Sequence, residues 1–460
     1  MNQQIPERLD RLPESRFHKK LLWICGLGTL FDAMDIGIIG SVMASLMQTW
    51  KLQPTQLGLI GSLSFLGMFF GAIVAGPLAD RFGRKVIFSV TLGCFGLFSL
   101  LNAFAWNYES MLLFRFLTGL GLGAEVPIVA AYFSELVPAR SRGRMLTMYE
   151  SFFPWGLILA SVIGFLLVPT LGWPSVFVVG AIPALLIFVV RRSLPESPRW
   201  LVGRNRDAEA AKIVSKIEEE ASREHGKLPA IAPTQQVKQI VKEKLNIFEI
   251  WNSVYWKSTL FLWIGWFGIF YANYAMILWL PSFWVKSGIP LTSTLFYNIL
   301  VSFASVPGFW MVALLIDRIG RKPSLIISLI LGIIGAVCFS LSSSFGAQLA
   351  SGLLLTFGNG GAMACLYTYS PELFPTRMRA TAVSFASSIG RIGGIAAPLV
   401  TGMILASVGN SAVIFQVIAA VLFITLLVTL ILARETMNQN LENLSEIGAE
   451  PDRETQSVPI

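Results

Sequence analysis

A chain of 460 residues that is 54% hydrophobic and only 13% charged has too little polar surface to cover itself in water, where about 25% charged residues is usual. That balance excludes a secreted hydrolase, a DNA-binding domain and a cytosolic dehydrogenase, and describes an all-α, polytopic membrane protein. The net charge of +8 does not point to nucleic acid, because the 35 basic residues are distributed as topology markers.

A polar tail over 1–20 lacks a short apolar run with a small-residue cleavage site, so the first span is expected to be retained. Apolar runs follow near 21–48, 57–79, 86–105, 111–133, 145–168 and 173–190, then near 258–284, 293–315, 324–343, 346–369, 380–405 and 411–432. At about 20 apolar residues per span, these make twelve transmembrane helices in two six-helix bundles, 21–190 and 258–434. Residues 191–257 form a linker in which EAAKIVSKIEEEASREH has the spacing of a short surface helix, and 435–460 form a C-terminal tail. With both termini cytoplasmic, 31 of the 35 basic residues fall on the cytoplasmic side, Lys51 and Lys286 lie outside, and Arg115 and Arg391 lie inside spans. Cys25, Cys94, Cys338 and Cys365 all sit in apolar stretches, which suggests neither a disulfide framework nor a metal cluster. No metal or cofactor is expected. His18 and His225 lie in solvated segments and no nucleophile–base pair is apparent, so an enzyme is not expected either.

The halves repeat. GPLADRFGRK at 76–85 recurs as ALLIDRIGRK at 313–322, and ELVPARSR at 135–142 recurs as ELFPTRMR at 372–379, each at an offset of 237. Gly121 and Gly123 map onto Gly358 and Gly360 at the same offset. The chain therefore reads as a duplicated six-helix unit, an architecture whose site lies near the bilayer midplane.

In the turn between spans two and three, Gly76, Asp80, Arg81, Gly83 and Arg84 make a G-x-x-x-D-R-x-G-R pattern, repeated by Asp317, Arg318, Gly320 and Arg321. Asp80 can cap a helix or pair with an Arg, Gly83 permits the tight turn, and the basic residues reach the headgroups. The pattern resembles the signature of the major facilitator superfamily, over residues 20–434. RFLTGLGLG at 115–123, PESPRWL at 195–201 and PELFPTR at 371–377 resemble its sugar-porter and organic-ion branches. In those branches the pairing of acids such as Glu135 and Glu372 with arginines such as Arg140 and Arg377 implies a latch of the outward-open state.

Ionisable residues inside spans are costly and usually functional; here they are Asp32, Asp35, Arg115, Glu125, Glu150 and Arg391. At about 1.5 Å per residue, Asp35 and Arg115 reach similar depths from opposite ends of their spans, so they can pair. FDAMDIGIIG resembles the first-span motif of proton-linked sugar porters, which implies that Asp35 couples to protons with Arg115 as its partner. Two readings stand: an acid loaded and unloaded as Arg115 approaches and withdraws, or a permanent ion pair joining spans one and four. Asp32 lies one turn away on a similar face, Glu125 belongs to the relay or caps a Gly-rich kink, and Glu150 stands where sugar porters have a Gln.

The glutamine-rich sugar signature of span seven is replaced here by GIFYANYAMILW. Arg391, in SSIGRIGGIAAP, lies at mid-depth with no obvious acid in its own half; its planar fork matches a carboxylate, and a cross-half pair with Glu150 is the alternative. Tyr271, Asn273, Tyr274, Trp279, Trp310, Asn359 and Tyr367 suit a flat heteroaromatic ring, although each alone can be core packing. The combination most resembles the bacterial niacin transporter family, which implies proton-coupled import of nicotinate across the inner membrane. Another aromatic acid such as a benzoate is the alternative, with sugar or drug transport behind it. The expected partners are the small carboxylate, protons and the bilayer, without nucleic acid, and a monomer is expected.

Overall fold

The structure, a computed structural model, describes residues 5–138, 141–230, 250–374 and 376–437; a few side chains within these ranges, Arg377 among them, are outside the description. All regular structure among the described residues is helical. Among the described residues, eleven helices are long and apolar enough to cross a membrane. They include α2 (Arg16–Thr49), α3 (Pro54–Phe82), α4 (Arg84–Ala103) and α5 (Tyr108–Leu136). The fifth span is α6 (Arg142–Glu150) continued by α7 (Phe152–Leu171).

The sixth span is broken. Where one helix over 173–190 is expected, α8 (Pro174–Gly180), a 3-10 turn (Ile182–Leu185) and α9 (Leu186–Ser193) follow one another. Pro183 has no N–H for an i→i−4 bond, which is reason enough for the interruption. The segment still supplies the apolar length of a span.

After α10 (Pro198–Gly203) and α11 (Asp207–His225), the chain continues with α12 (Trp256–Lys286), α13 (Leu291–Phe303), α14 (Ser305–Ile319), α15 (Arg321–Leu341), α16 (Phe345–Tyr369), α17 (Thr376–Ser407) and α18 (Ser411–Leu432). Two compact units result. Unit 1 is 1–240 with 277–299 and 398–406; unit 2 is 241–276, 300–397 and 407–460.

Within unit 1, the segments 277–299 and 398–406 meet α2 and α3 at the helix ends opposite Arg16. Contact there is backbone to backbone: a Cβ on Gly40 would lie 2.5 Å from the Ile277 carbonyl, one on Gly58 2.5 Å from that of Pro398, and one on Gly402 2.6 Å from that of Pro54. Each glycine is the condition of that approach. The Trp279 indole N–H donates to the Pro398 carbonyl at 3.2 Å.

The polar N-terminal tail is structured. Residues Ile5–Asp10 form α1, and Ile5, Leu9 and Leu12 are buried in one cluster with Ala210, Val214, Ile217 and Ala221 of α11. Arg8 and Arg11 pair with Glu218 at 2.5 and 2.7 Å. Asp10 takes Arg142 at 3.1 Å and Arg199 at 2.8 Å, and Glu14 takes Arg144 at 2.5 Å. Burial alone would raise the Glu218 carboxyl, but hydrogen bonds from Arg8 and Arg11 hold it below the usual range. The apolar contact is the larger stabiliser, since partly exposed ion pairs contribute about 0–1 kcal/mol. Leu9→Ala is therefore expected to destabilise α1 and its seat on α11 by about 2–5 kcal/mol, seen as faster proteolysis in the first fifteen residues; unchanged protection there would refute the packing.

Candidate functional site

The site in unit 1 begins with glycine. On α3 and α5, Gly67, Gly71, Gly119 and Gly123 interleave: Cβ atoms on them would lie 2.2 Å from the Phe116 carbonyl, 2.2 Å from that of Leu120, 2.1 Å from that of Ser64 and 2.0 Å from that of Met68. No side chain fits at these positions, so the two backbones touch. This is the physical content of the RFLTGLGLG motif. The contact brings Arg115 of α5 against Ser64 of α3, whose hydroxyl accepts from Nε at 2.9 Å.

Arg115 then reaches Asp35 on α2. Its Nη2 donates to Oδ2 at 2.8 Å and its Nη1 to Oδ1 at 3.4 Å, and Ser99 donates to Oδ1 at 3.4 Å. Both side chains are 0% exposed. Phe177 lies over the guanidinium at 5.7 Å, and a small cavity bounded by Ile36, Ile39, Ser64, Phe65 and Leu278 adjoins it. The pairing expected from depth is thus present, fully buried, with the guanidinium donating to two acceptor side chains.

Toward the Arg16 end of α2 a second group of acids collects. Asp32 is buried on α2 three residues before Asp35, Glu125 of α5 faces Gly28, and Glu150 ends α6.

At the Asp80 end of α3 the motif side chains form a clip. Arg84 pairs with Asp80 at 2.9 Å and with Glu135 at 3.2 Å. Glu196, from PESPRWL, accepts from the backbone N–H groups of Arg84 and Lys85 at 3.0 and 3.1 Å, capping α4. Ser197 donates to Glu135. Gly83 has φ +102°, and a Cβ on it would lie 2.4 Å from Glu196, so a glycine is required twice over. Unit 2 repeats the clip: Arg321 pairs with Asp317 at 3.3 Å and with Glu372 at 2.9 Å, and Glu435 accepts from the N–H groups of Arg321 and Lys322 at 2.9 and 3.0 Å. Thr436 donates to Glu372 at 2.5 Å, and Gly320 has φ +98°. Arg81 and Arg318 are exposed, and Gly76 has nothing within 4 Å of its Cβ position. Arg140 lies outside the described residues, as does the Arg377 side chain.

Glu196 and Glu435 carry no weight in the sequence reading. Their signal is the E-S and E-T steps after each bundle, but 196 and 435 differ by 239, two more than the repeat offset, so a search at 237 passes over them.

Unit 2 holds most of the aromatic residues expected at the site. Along α12, Trp266, Phe270 and Tyr274 follow at centroid spacings of 5.3 and 5.5 Å, Tyr367 of α16 meets Trp266 edge-on at 5.0 Å, and Tyr271 stacks on Phe267 at 6.1 Å. Gly390 and Gly393 of α17 approach this ladder, with Cβ positions 3.4 Å from Trp266 and Phe270 and 2.5 Å from the Phe267 carbonyl. Arg391 lies between those glycines, and its charge acts on the Tyr274 phenol. Asn359 donates to Asn273 at 3.2 Å; the Asn273 Nδ2 and the Asn359 Oδ1 are buried without a further hydrogen-bond partner among the described residues. Trp279 is not with this group: it belongs to unit 1, with its indole N–H engaged by Pro398. Trp310 is 68% exposed and is not part of the buried ladder. Trp266 and Phe270, which sequence reasoning did not single out, are the centre of it.

The profile of the sugar (and other) transporter family matches residues 24–447. The chain belongs to that family. It is thus a multi-pass membrane transporter of the major facilitator superfamily, and neither its relatives nor its structural neighbours are enzymes. A niacin transporter of Acinetobacter baylyi is 38% identical over 445 residues, 95% of this chain and 98% of the relative. A putative niacin/nicotinamide transporter of Bacillus subtilis is 35% identical, over 92% and 98%. A 4-hydroxybenzoate transporter of Pseudomonas aeruginosa is 33% identical, over 85% and 88%. The fold matches the partially occluded, inward-open xylose transporter XylE of E. coli with a TM-score of 0.74 and 19% identity, over 92% of this chain and 99% of that one. The twelve-helix facilitator fold expected from the apolar runs is therefore the fold of this protein.

Two expectations follow. Arg115→Ala leaves the Asp35 carboxylate buried without its cation and should cost about 3–5 kcal/mol, whereas Arg115→Leu with Asp35→Leu should recover most of it; a double variant as unstable as the single would show that the pair is not the cause. In the unit 2 clip, burial opposes ionisation of Glu435, but N–H donors from Arg321, Met437, Lys322 and Thr436 outweigh it and hold the carboxyl below its ordinary 4.5. A depressed carboxyl stabilises the fold above the unfolded-state value and loses that contribution as pH falls through the folded value. Acidification below about pH 4.5 should therefore loosen α15, measured by hydrogen exchange at Lys322, and Glu435→Gln should remove that pH step.

Proposed function

We propose that this transporter imports nicotinate, or a closely related small aromatic carboxylate, together with protons across the cell's inner membrane, working as a monomer with both termini in the cytoplasm. Alternating access by the six-helix bundles 21–190 and 258–434 is the proposed route, and the acid–arginine clips around Arg84 and Arg321 are its proposed latches. The observation that carries the substrate reading is Arg391 of α17, whose charge acts on Tyr274 of the aromatic ladder of α12. A carboxylate meets the guanidinium bidentately, the ring stacks on Tyr274 or Tyr271, and the open Asn273 amide donates to a ring nitrogen, with Asn359 and Tyr367 completing the wall. The identity to niacin transporters over nearly the whole chain supports this choice of ring.

Proton coupling is assigned to the α2–α5 seam. Asp35 with Arg115, Asp32, Glu125 and Glu150 lie along it, and a buried acid there holds or releases a proton as the charges and water around it change. A second reading, another aromatic acid, is supported by the relative named for 4-hydroxybenzoate. The two differ at the ring nitrogen.

Counterflow in proteoliposomes with nicotinate, nicotinamide, benzoate and xylose separates them. Arg391→Ala should abolish nicotinate exchange while expression is unchanged, and Asn273→Leu should lower the preference for nicotinate over benzoate by about 10–100-fold, the value of a lost buried hydrogen bond of about 1–3 kcal/mol. Near-normal nicotinate exchange by Arg391→Ala overturns the anion anchor, and benzoate preferred by the unaltered protein replaces the substrate.

A further inference from the structure

Unit 1 buries an acid with no salt-bridge partner among the described residues. Glu125 is 1% exposed, and neither of its carboxyl oxygens has a hydrogen-bond partner among the described residues. It lies eleven residues before Leu136 on α5, about 16 Å from that helix end, and faces Gly28, which lies twelve residues after Arg16 on α2, about 18 Å from its end. Gly28 admits it: a Cβ there would come within 2.6 Å of Oε1. The carboxyl group therefore occupies space that the sequence keeps open for it.

Its neighbours offer no cation. Cys25 of α2 lies close enough for the charge of Glu125 to act on the thiol, Phe88 of α4 lies against the same Gly28 position, and Asp32 is four residues along α2 from Gly28. No lysine or arginine among the described residues is placed against it. An ionised carboxylate here would have two acceptor oxygens without a donor in an apolar interior, at a cost of several kcal/mol, whereas the neutral acid carries its own donor and no charge. Asp35 is the opposite case: Arg115 and Ser99 give it three donor contacts. The two acids share one seam, about 10–15 Å apart along the helices, with Asp32 between them.

We propose that Glu125 holds a proton in this state and that this proton, not one on Asp35, is the one discharged during transport. The inference rests on the proton-coupled reading above. The step is a dissociation: the Glu125 O–H bond breaks when water enters the α2–α5 seam, the proton leaves with the water, and the carboxylate is hydrated. Glu125 then acts by taking up and releasing the coupled proton, and Arg115–Asp35 acts as a fixed ionic reference beside it.

Two measurements on the full-length protein test this. Infrared difference spectra between neutral and alkaline pH should contain the carbonyl stretch of a neutral carboxylic acid in the unaltered protein and in Asp35→Asn, and lose it in Glu125→Gln. In proteoliposomes, Glu125→Gln, which matches the neutral acid in shape, should keep counterflow within about twofold but fall to no accumulation under an imposed pH gradient; Glu125→Asp should restore part of it with a displaced pH profile. A carbonyl band unaffected by Glu125→Gln, or normal gradient-driven accumulation in that variant, overturns the proposal. Should the unaltered protein exchange no nicotinate, the substrate reading fails separately, and the infrared bands alone decide the state of Glu125.

Discussion

A guanidinium among apolar helices is stable only where its complement lies within hydrogen-bond length, and in unit 1 that length is set by backbone contact between α3 and α5. Four glycines, two from each helix, remove the side chains that would otherwise hold the helices about 8–10 Å apart. With that contact, Ser64 receives Nε of Arg115 and the rest of the fork is left for Asp35. A methyl group at any of the four positions would push the arginine away from the serine and leave a fully buried ion pair of poor geometry. The electrostatics of the seam thus follow from the smallest residues in the motif, not from its charged one.

The duplicated fold and the specialised chemistry part company at these residues. The offset of 237 that maps Gly121 and Gly123 onto Gly358 and Gly360 preserves their jobs: Gly121 meets Phe95 of α4 as Gly358 meets Gly332 of α15, and Gly123 meets Met68 of α3 as Gly360 meets Ser305 of α14. The same offset carries Asp35 to Ala272, Arg115 to Gly352 and Arg391 back to Pro154. Packing was kept by both copies; charge was kept by one each. Buried acids are therefore concentrated in unit 1, and Arg391 stands among aromatics in unit 2.

Much of this was legible beforehand, for identifiable reasons. Spans are long and apolar, so their number and order can be read from hydropathy; Asp35 and Arg115 sit at matched depths on helices of known rise, so their pairing follows from counting; the motif acids and arginines repeat, so their clips are visible twice. What was hidden depended on short or irregular local structure. The break at Pro183 occurs inside a run whose composition is uniformly apolar. Ile5, Leu9 and Leu12 are three residues in a charged stretch, too few to announce that α1 packs on α11. Trp279 shares its type and helix with the ladder residues, and only its bond to Pro398 distinguishes it.

The acids of the clips have one more meaning. Glu196 and Glu435 lie beyond the last span of their respective bundles, yet each caps a helix that begins the third span of that bundle. The duplicated unit consequently extends past its membrane portion and includes the first residues after it. Anyone dividing the gene into two co-expressed halves should place the break downstream of Ser197 and keep Thr436 on the second piece; a cut at the end of the sixth span would strip the first half of the carboxylate that closes its helix end, and trimming the second piece at Leu432 would do the same to the other.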